Sequence, residues 1–215
     1  MTTSQHEIAA PLGAATEGRL EVAAGASHLT LSSHETATQL YRARFEGVVP
    51  MVLAHEGRVT IEYPRRSPSE WLRADRRAAQ IALNRSLPWT LVFPGGVRGL
   101  CADLRHLTLS GLEIGGGASD VHVVLPRPRG VVWVRVAGGA SGIRLNRPAA
   151  SAARLHLAGG ASAIAFDDRR IGAIGGHTRL ASPGAEETAD RYEIEIGGGA
   201  SALAIWERDD GGAER

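Results

Sequence analysis

The chain has 215 residues, enough to bury a core of its own, and 43% of them are hydrophobic against only 5% aromatic, so a globular interior must rest on Val, Ile, Leu and Ala. The formal net charge of +1 gives no electrostatic case for nucleic acid or an anionic membrane surface. No run of about 18 apolar residues is present to cross a bilayer as a helix, which argues against membrane insertion.

Residues 1–17 read as a flexible tail: they have neither the basic start nor the apolar stretch of a signal peptide, and a cytoplasmic location is the expectation. From residue 18 to 207 the chain reads as one β-repeat domain, with an irregular part over 18–90 and regular repeats over 91–207; residues 208–215 form a second tail. In the irregular part Leu40–Phe45, Val48–Leu53 and Arg58–Tyr63 have strand composition. Ser67-Pro68-Ser69-Glu70 looks like a helix start, with a short helical turn and then a strand leading to Trp89. Such an atypical segment suits a cap on the open end of a repeat array.

The repeats are marked by Gly-Gly-Ala-Ser, which ends at Ser119, Ser141, Ser162 and Ser201, with a near copy ending at Ser27. Gly95-Gly96-Val97-Arg98 and Gly175-Gly176-His177-Thr178 fit the same frame in degenerate form. Counting the last residue of the tetrapeptide as zero, positions −7 and −5 are apolar (Leu112 and Ile114, Val134 and Val136, Ile194 and Ile196), and so are +2 and +4 (Val121 and Val123, Ile143 and Leu145, Leu203 and Ile205). Each arm alternates with period two, the signature of a half-buried strand. An odd number of residues separates −5 from +2, so the tetrapeptide must turn or bulge the chain for both arms to face one core, a task suited to glycine. One unit cannot bury its apolar face alone, so the units stack. The fold expected is all-β, a parallel β-solenoid of strand–GGAS–strand coils each lying on the last; a β-hairpin sandwich is the alternative.

The segments LEIGGGASDVHV, VRVAGGASGIRL and IEIGGGASALAI resemble bacterial β-repeat proteins of the putative-adhesin, or toastrack, family. The resemblance implies a stacked-strand fold and an interaction or sensing module of the kind found in LiaF-like and PspC-like envelope-stress proteins. It implies no catalytic residues.

Stacking turns equivalent positions into rows of neighbours. The −6 row holds Glu113, Arg135, His156 and Glu195, a possible interaction surface that is equally a ladder of complementary surface charges. Trp133 at −8 and Trp206 at +5 should lie outward or at an edge, where tryptophan can anchor a partner. The +3 row places the single cysteine, Cys101, beside His122 and Arg144, the least that a thiol nucleophile and base require, but nothing in the sequence supplies an oxyanion site. No histidine has metal-ligand spacing, no Gly-rich segment ends as a phosphate loop, and the repeated Gly–Ser pattern argues for structure over a nucleophile elbow. No cofactor, metal or catalytic residue is expected. Three functions fit: a non-enzymatic binding or scaffold module with a protein partner or self-association; a self-assembling structural protein like the bactofilins; and an enzyme of β-helix type acting on polysaccharide through Glu113, Arg135 and His156.

Overall fold

In the computed structural model, residues 5–23, 26–64 and 77–208 are described, and they contain nineteen strands and no helix. Seven forward coils each place one strand in either of two facing sheets. In chain order they are β2 (Gly18–Ala23) with β3 (Ala26–His34), β6 (Arg58–Glu62) with β7 (Arg77–Asn84), β8 (Pro88–Phe93) with β9 (Val97–Asp103), and β10 (Thr108–Ile114) with β11 (Ala118–Val124). The series continues with β12 (Val131–Val136) and β13 (Ala140–Pro148), β14 (Ala152–Leu157) and β15 (Ala161–Phe166), and β18 (Arg191–Ile196) and β19 (Ala200–Arg208). Two further pairs, β4 (Gln39–Gly47) with β5 (Met51–His55) and β16 (Arg169–Ile174) with β17 (Thr178–Ala181), run in the reverse direction, and β1 (Gln5–Pro11) lies outside β4.

Sheet A has the order β1-β4-β7-β3-β9-β11-β13-β19-β15-β16, and sheet B the order β17-β14-β18-β12-β10-β8-β2-β6-β5. All pairs between forward coils are parallel. Antiparallel pairs occur only where a reversed coil or β1 closes an end. The fold is therefore the β-solenoid that the repeats predict, with both ends covered.

The order of the coils departs from the expectation that each lies on the last. That rule holds from β8 to β13 and breaks at both ends. After β2–β3 the chain leaves one slot open, builds the reversed coil β4–β5 beyond it, and returns to fill the slot with β6–β7. After β12–β13 it again skips a slot, lays down β14–β15 and the reversed β16–β17, and fills the gap with the last coil, β18–β19. Gly175 to Thr178 is thus the corner of a reversed coil and not another forward repeat. Residues 5–11, expected within a tail, form β1. The helical turn expected from Ser67 and the residues 209–215 lie outside the described residues, while 77–84 form the expected strand.

The change of phase sits one step later than the glycines. In six coils the residue after position zero is left-handed, with φ of 53° at His28, 68° at Gly99, 52° at Asp120, 65° at Gly142, 52° at Ala163 and 50° at Ala202. These residues drop out of the ladder: Ser119 pairs with Ser141 and Val121 with Ile143, and the residue between them has no partner. The alanine at −1 is buried at Ala118, Ala140, Ala161 and Ala200, and the bulge returns +2 to the same core.

The glycine at −3 answers a different need. Successive corners touch backbone to backbone, so a Cβ on Gly138 would lie 2.8 Å from Gly116 and one on Gly198 2.7 Å from the Gly139 nitrogen. At −2 of the GGAS copies the space is ordinary, 3.5 Å from a Gly117 Cβ to the Gly139 oxygen, whereas in the degenerate copy Gly96 has a φ of 85° and a Cβ there would lie 2.6 Å from the Gly117 oxygen. Gly198→Ala should therefore destabilise the protein by about 1–3 kcal/mol through overpacking, and Gly117→Ala should be neutral or slightly stabilising. Urea midpoints of the two variants check this contrast; equal effects would refute the stacking argument.

The core between the sheets is a continuous ladder of Leu, Ile and Val, with Trp89 and Tyr192 fully buried. Their polar ends are satisfied: Trp89 Nε1 donates to the Asn84 oxygen at 2.8 Å, and the Tyr192 hydroxyl donates to the Pro126 oxygen at 2.5 Å. Burial pushes the Tyr192 hydroxyl well above its ordinary pKa.

Candidate ligand-binding face

Outward residues of sheet B form rows across the strands. One row reads Val92, Glu113, Arg135, Glu195, His156 and Arg179. The next reads Thr90, Gly111, Trp133, Glu193, Arg154 and Ala181. Because the last coil is inserted, Glu195 lies between Arg135 and His156, where chain order had placed it beyond His156.

The charges in these rows are matched. Arg135 Nε lies 3.4 Å from Glu195, and its guanidinium carbon is 4.2 Å from the centroid of the Trp133 ring. Glu193 is held twice, by Arg191 Nε at 2.7 Å and Arg154 at 3.3 Å. Trp133 remains 40% exposed, the largest aromatic surface left open among the described residues. A cleft of about 540 Å³ lies over β18 and β14, lined by Trp133, Arg154, His156, Arg179, Glu186, Glu193 and Glu195. Glu195 also lines a second groove of about 480 Å³, which runs over Gly115, Ala137 and Gly197 past Arg135 and Glu113 to Val92 and Pro94. The two together cross most of the sheet at right angles to its strands.

Of the residues expected to form a surface, the structure brings Glu113, Arg135, Glu195, His156 and Trp133 onto one face. Trp206 is separated from them: it lies on β19 in sheet A, half-buried and paired in register with Asn146. Arg154 and Glu193 occupy the −8 row with Trp133, so the same counting that gave the −6 row would have found them. Arg179 had no such signal, because β17 runs backwards.

On sheet A the row Cys101, His122, Arg144 is formed as counted. Cys101 is exposed, and His122 Nε2 lies 3.2 Å from Asn146 Nδ2; among the described residues no acid forms an ion pair with His122. His55 and Glu56 form an exposed pair at 3.6 Å. Among the described residues no group of three or more His, Cys, Asp and Glu is placed to hold a metal, and no helix is long and apolar enough to cross a membrane. The groups with shifted acidity lie elsewhere: the Arg105 guanidinium holds the Asp103 carboxyl below its usual range, and burial, with Arg42 adding, lowers His34.

Parallel coils of two sheets with capped ends, a glycine corner and a charge-laddered outer face define a β-solenoid repeat domain of the toastrack type. The chain belongs to the family described as the N-terminal domain of toast_rack, DUF2154, whose profile matches residues 1–146. It is similar in structure to a putative cell adhesion protein from Clostridium sporogenes, at a TM-score of 0.76 and 16% identity over 96% of this chain and 100% of that one. Weaker likenesses are a putative adhesin from Bacteroides fragilis (TM-score 0.33, 9% identity, 96% and 97% covered) and a putative lipid binding protein from Parabacteroides distasonis (0.31, 10%, 96% and 97%). No curated protein matches the sequence.

Proposed function

We propose that the protein is a binding module that holds its ligand on the outer face of sheet B and does not transform it. The observation that carries this reading is the cleft walled by the half-exposed Trp133 and floored by ion pairs on a rigid sheet. Pre-ordered side chains lose little entropy on binding, and an exposed, anchored tryptophan is the residue type that most often dominates an interface. Glu193 and Glu195 are both engaged by guanidinium groups, which hold them as hydrogen-bonding carboxylates on the floor of the cleft. A binding role is of the same kind as that named for the Clostridium sporogenes protein, with which the chain shares its fold.

The experiment is a glycan and peptide array probed with the purified chain and with two surface variants. Trp133→Ala together with Arg135→Ala should abolish most of the signal, with binding weakened about tenfold or more. His122→Ala with Arg144→Ala on the opposite face should leave it unchanged. Loss in the second variant and retention in the first would place the ligand on sheet A and reject the reading.

A further inference from the structure

The ligand class can be narrowed from the distribution of charge in the cleft. Glu193 is taken up by Arg154 and Arg191, and Glu195 by Arg135. Arg179 has no ion-pair partner among the described residues, and it stands in register with His156 on the neighbouring strand. One end of the cleft therefore offers a guanidinium engaged in no ion pair beside an imidazole. The other end, three strands away or about 14 Å at the usual strand spacing, offers the Trp133 ring.

Resting on the binding role above, we infer that the cleft takes an acidic oligosaccharide, one bearing uronic-acid carboxylates. The C–H face of a sugar ring packs on an aromatic side chain, its hydroxyls bond to planar guanidinium and carboxylate groups, and its carboxylate pairs with an arginine. Trp133, Glu193 with Arg154, and Arg179 supply these three functions in order across the sheet. Glu186 lines the same cleft without a guanidinium partner among the described residues. It accepts hydrogen bonds from hydroxyls, which a sugar supplies and a bare anion such as phosphate lacks. A peptide fits less well. Extended peptides join sheets at an open edge through free backbone groups. Here β12, β18 and β14 each have a strand on both sides.

The test is calorimetric titration of the full chain with three probes: a short oligogalacturonide, a neutral oligosaccharide of the same length, and an oligoglutamate peptide. The expected result is that the oligogalacturonide binds about tenfold more tightly than the neutral sugar. Arg179→Gln should erase that preference, and Trp133→Ala should weaken both sugars. Both positions are on the surface, so unchanged melting curves would confirm that the variants fold. Equal binding of acidic and neutral sugars, or a preference that survives Arg179→Gln, overturns the acidic class. Binding of the peptide alone, weakened by Trp133→Ala, overturns the saccharide but keeps the cleft as the site. Failure of all three probes, with the array signals untouched by Trp133→Ala, overturns both.

Discussion

Arg147→Leu should destabilise the protein by about 2–4 kcal/mol, the cost of leaving the part-buried Asp167 carboxylate without its partner. Arg147 is the most deeply buried charge among the described residues, with 1% of its side chain exposed. It lies 2.5 Å from Asp167 and 2.5 Å from Glu207, and it donates to the Ser151 oxygen. Arg147 and its partners span three successive coils of the stack, so one guanidinium reaches from β13 across β19 to the end of β15. At the equivalent position in the two preceding coils stand Leu104 and Leu125, both fully buried, so leucine fits the volume and the loss is electrostatic. Adding Asp167→Asn should recover most of the stability. Asn accepts the left-handed φ of 50° found at Asp167, and Glu207, 45% exposed, can turn to water. Chemical denaturation of the single and double variants decides it: a single variant as stable as the parent would show that the cluster contributes nothing net.

Ending the chain at Ala181 should do more damage than ending it at Pro148, although it removes fewer residues. The first truncation takes away β18–β19, which lies inside the stack, and leaves an empty slot between β12–β13 and β14–β15. It removes Tyr192, Ile194, Ile196, Leu203 and Ile205 from the core, each 2% exposed or less. Each contributes roughly 1.5–3 kcal/mol of burial, so their joint loss is comparable to the whole stability of a typical domain, about 5–15 kcal/mol. The second truncation loses those five residues too, together with the Arg147 partners Ser151, Asp167 and Glu207, but it leaves no gap inside the stack: it exposes one edge, where the Arg147 guanidinium can turn to water. Hydrogen exchange should show β14–β17 unprotected in the longer fragment and β8–β12 protected in the shorter. Full protection of Leu155 and Leu157 in the longer fragment would mean that β14–β15 closes directly on β12–β13, and that the slot is not fixed by the local sequence.

The regular part of the fold was legible because each coil repeats the same chemistry: apolar alternation on both arms and glycine at −3, where corners meet. What counting could not reveal is where the chain reverses. β16 and β17 alternate much as a forward coil does, and direction leaves no mark on a period of two. The order of β14–β15 and β18–β19 was hidden for the same reason, since both offer GGAS corners that fit either neighbour. Pairing of Arg147 with Glu207 and Asp167 is the feature that distinguishes the two orders, and it joins residues far apart in the chain. The candidate site was half visible. Glu113, Arg135, Glu195, His156 and Trp133 share one face because all lie on the arm before the corner, whereas Trp206 at +5 lies on the arm after it and so on the other sheet.

The skipped and refilled slots bear on how such a chain can change in length over evolution. A solenoid stacked strictly in order gains a coil most simply at either terminus. Here both termini are tied into the stack by a later segment returning inside an earlier one, so a duplication at either end would break a closure. The stretch from β8 to β13 carries no such tie, and its position-zero residues Arg98, Ser119 and Ser141 are in register coil upon coil. Tandem duplication of one such unit, the 22-residue step from Ser119 to Ser141, would insert between like neighbours and leave both closures intact. A lineage built on this plan therefore grows from its middle, and carries its two ends along unchanged.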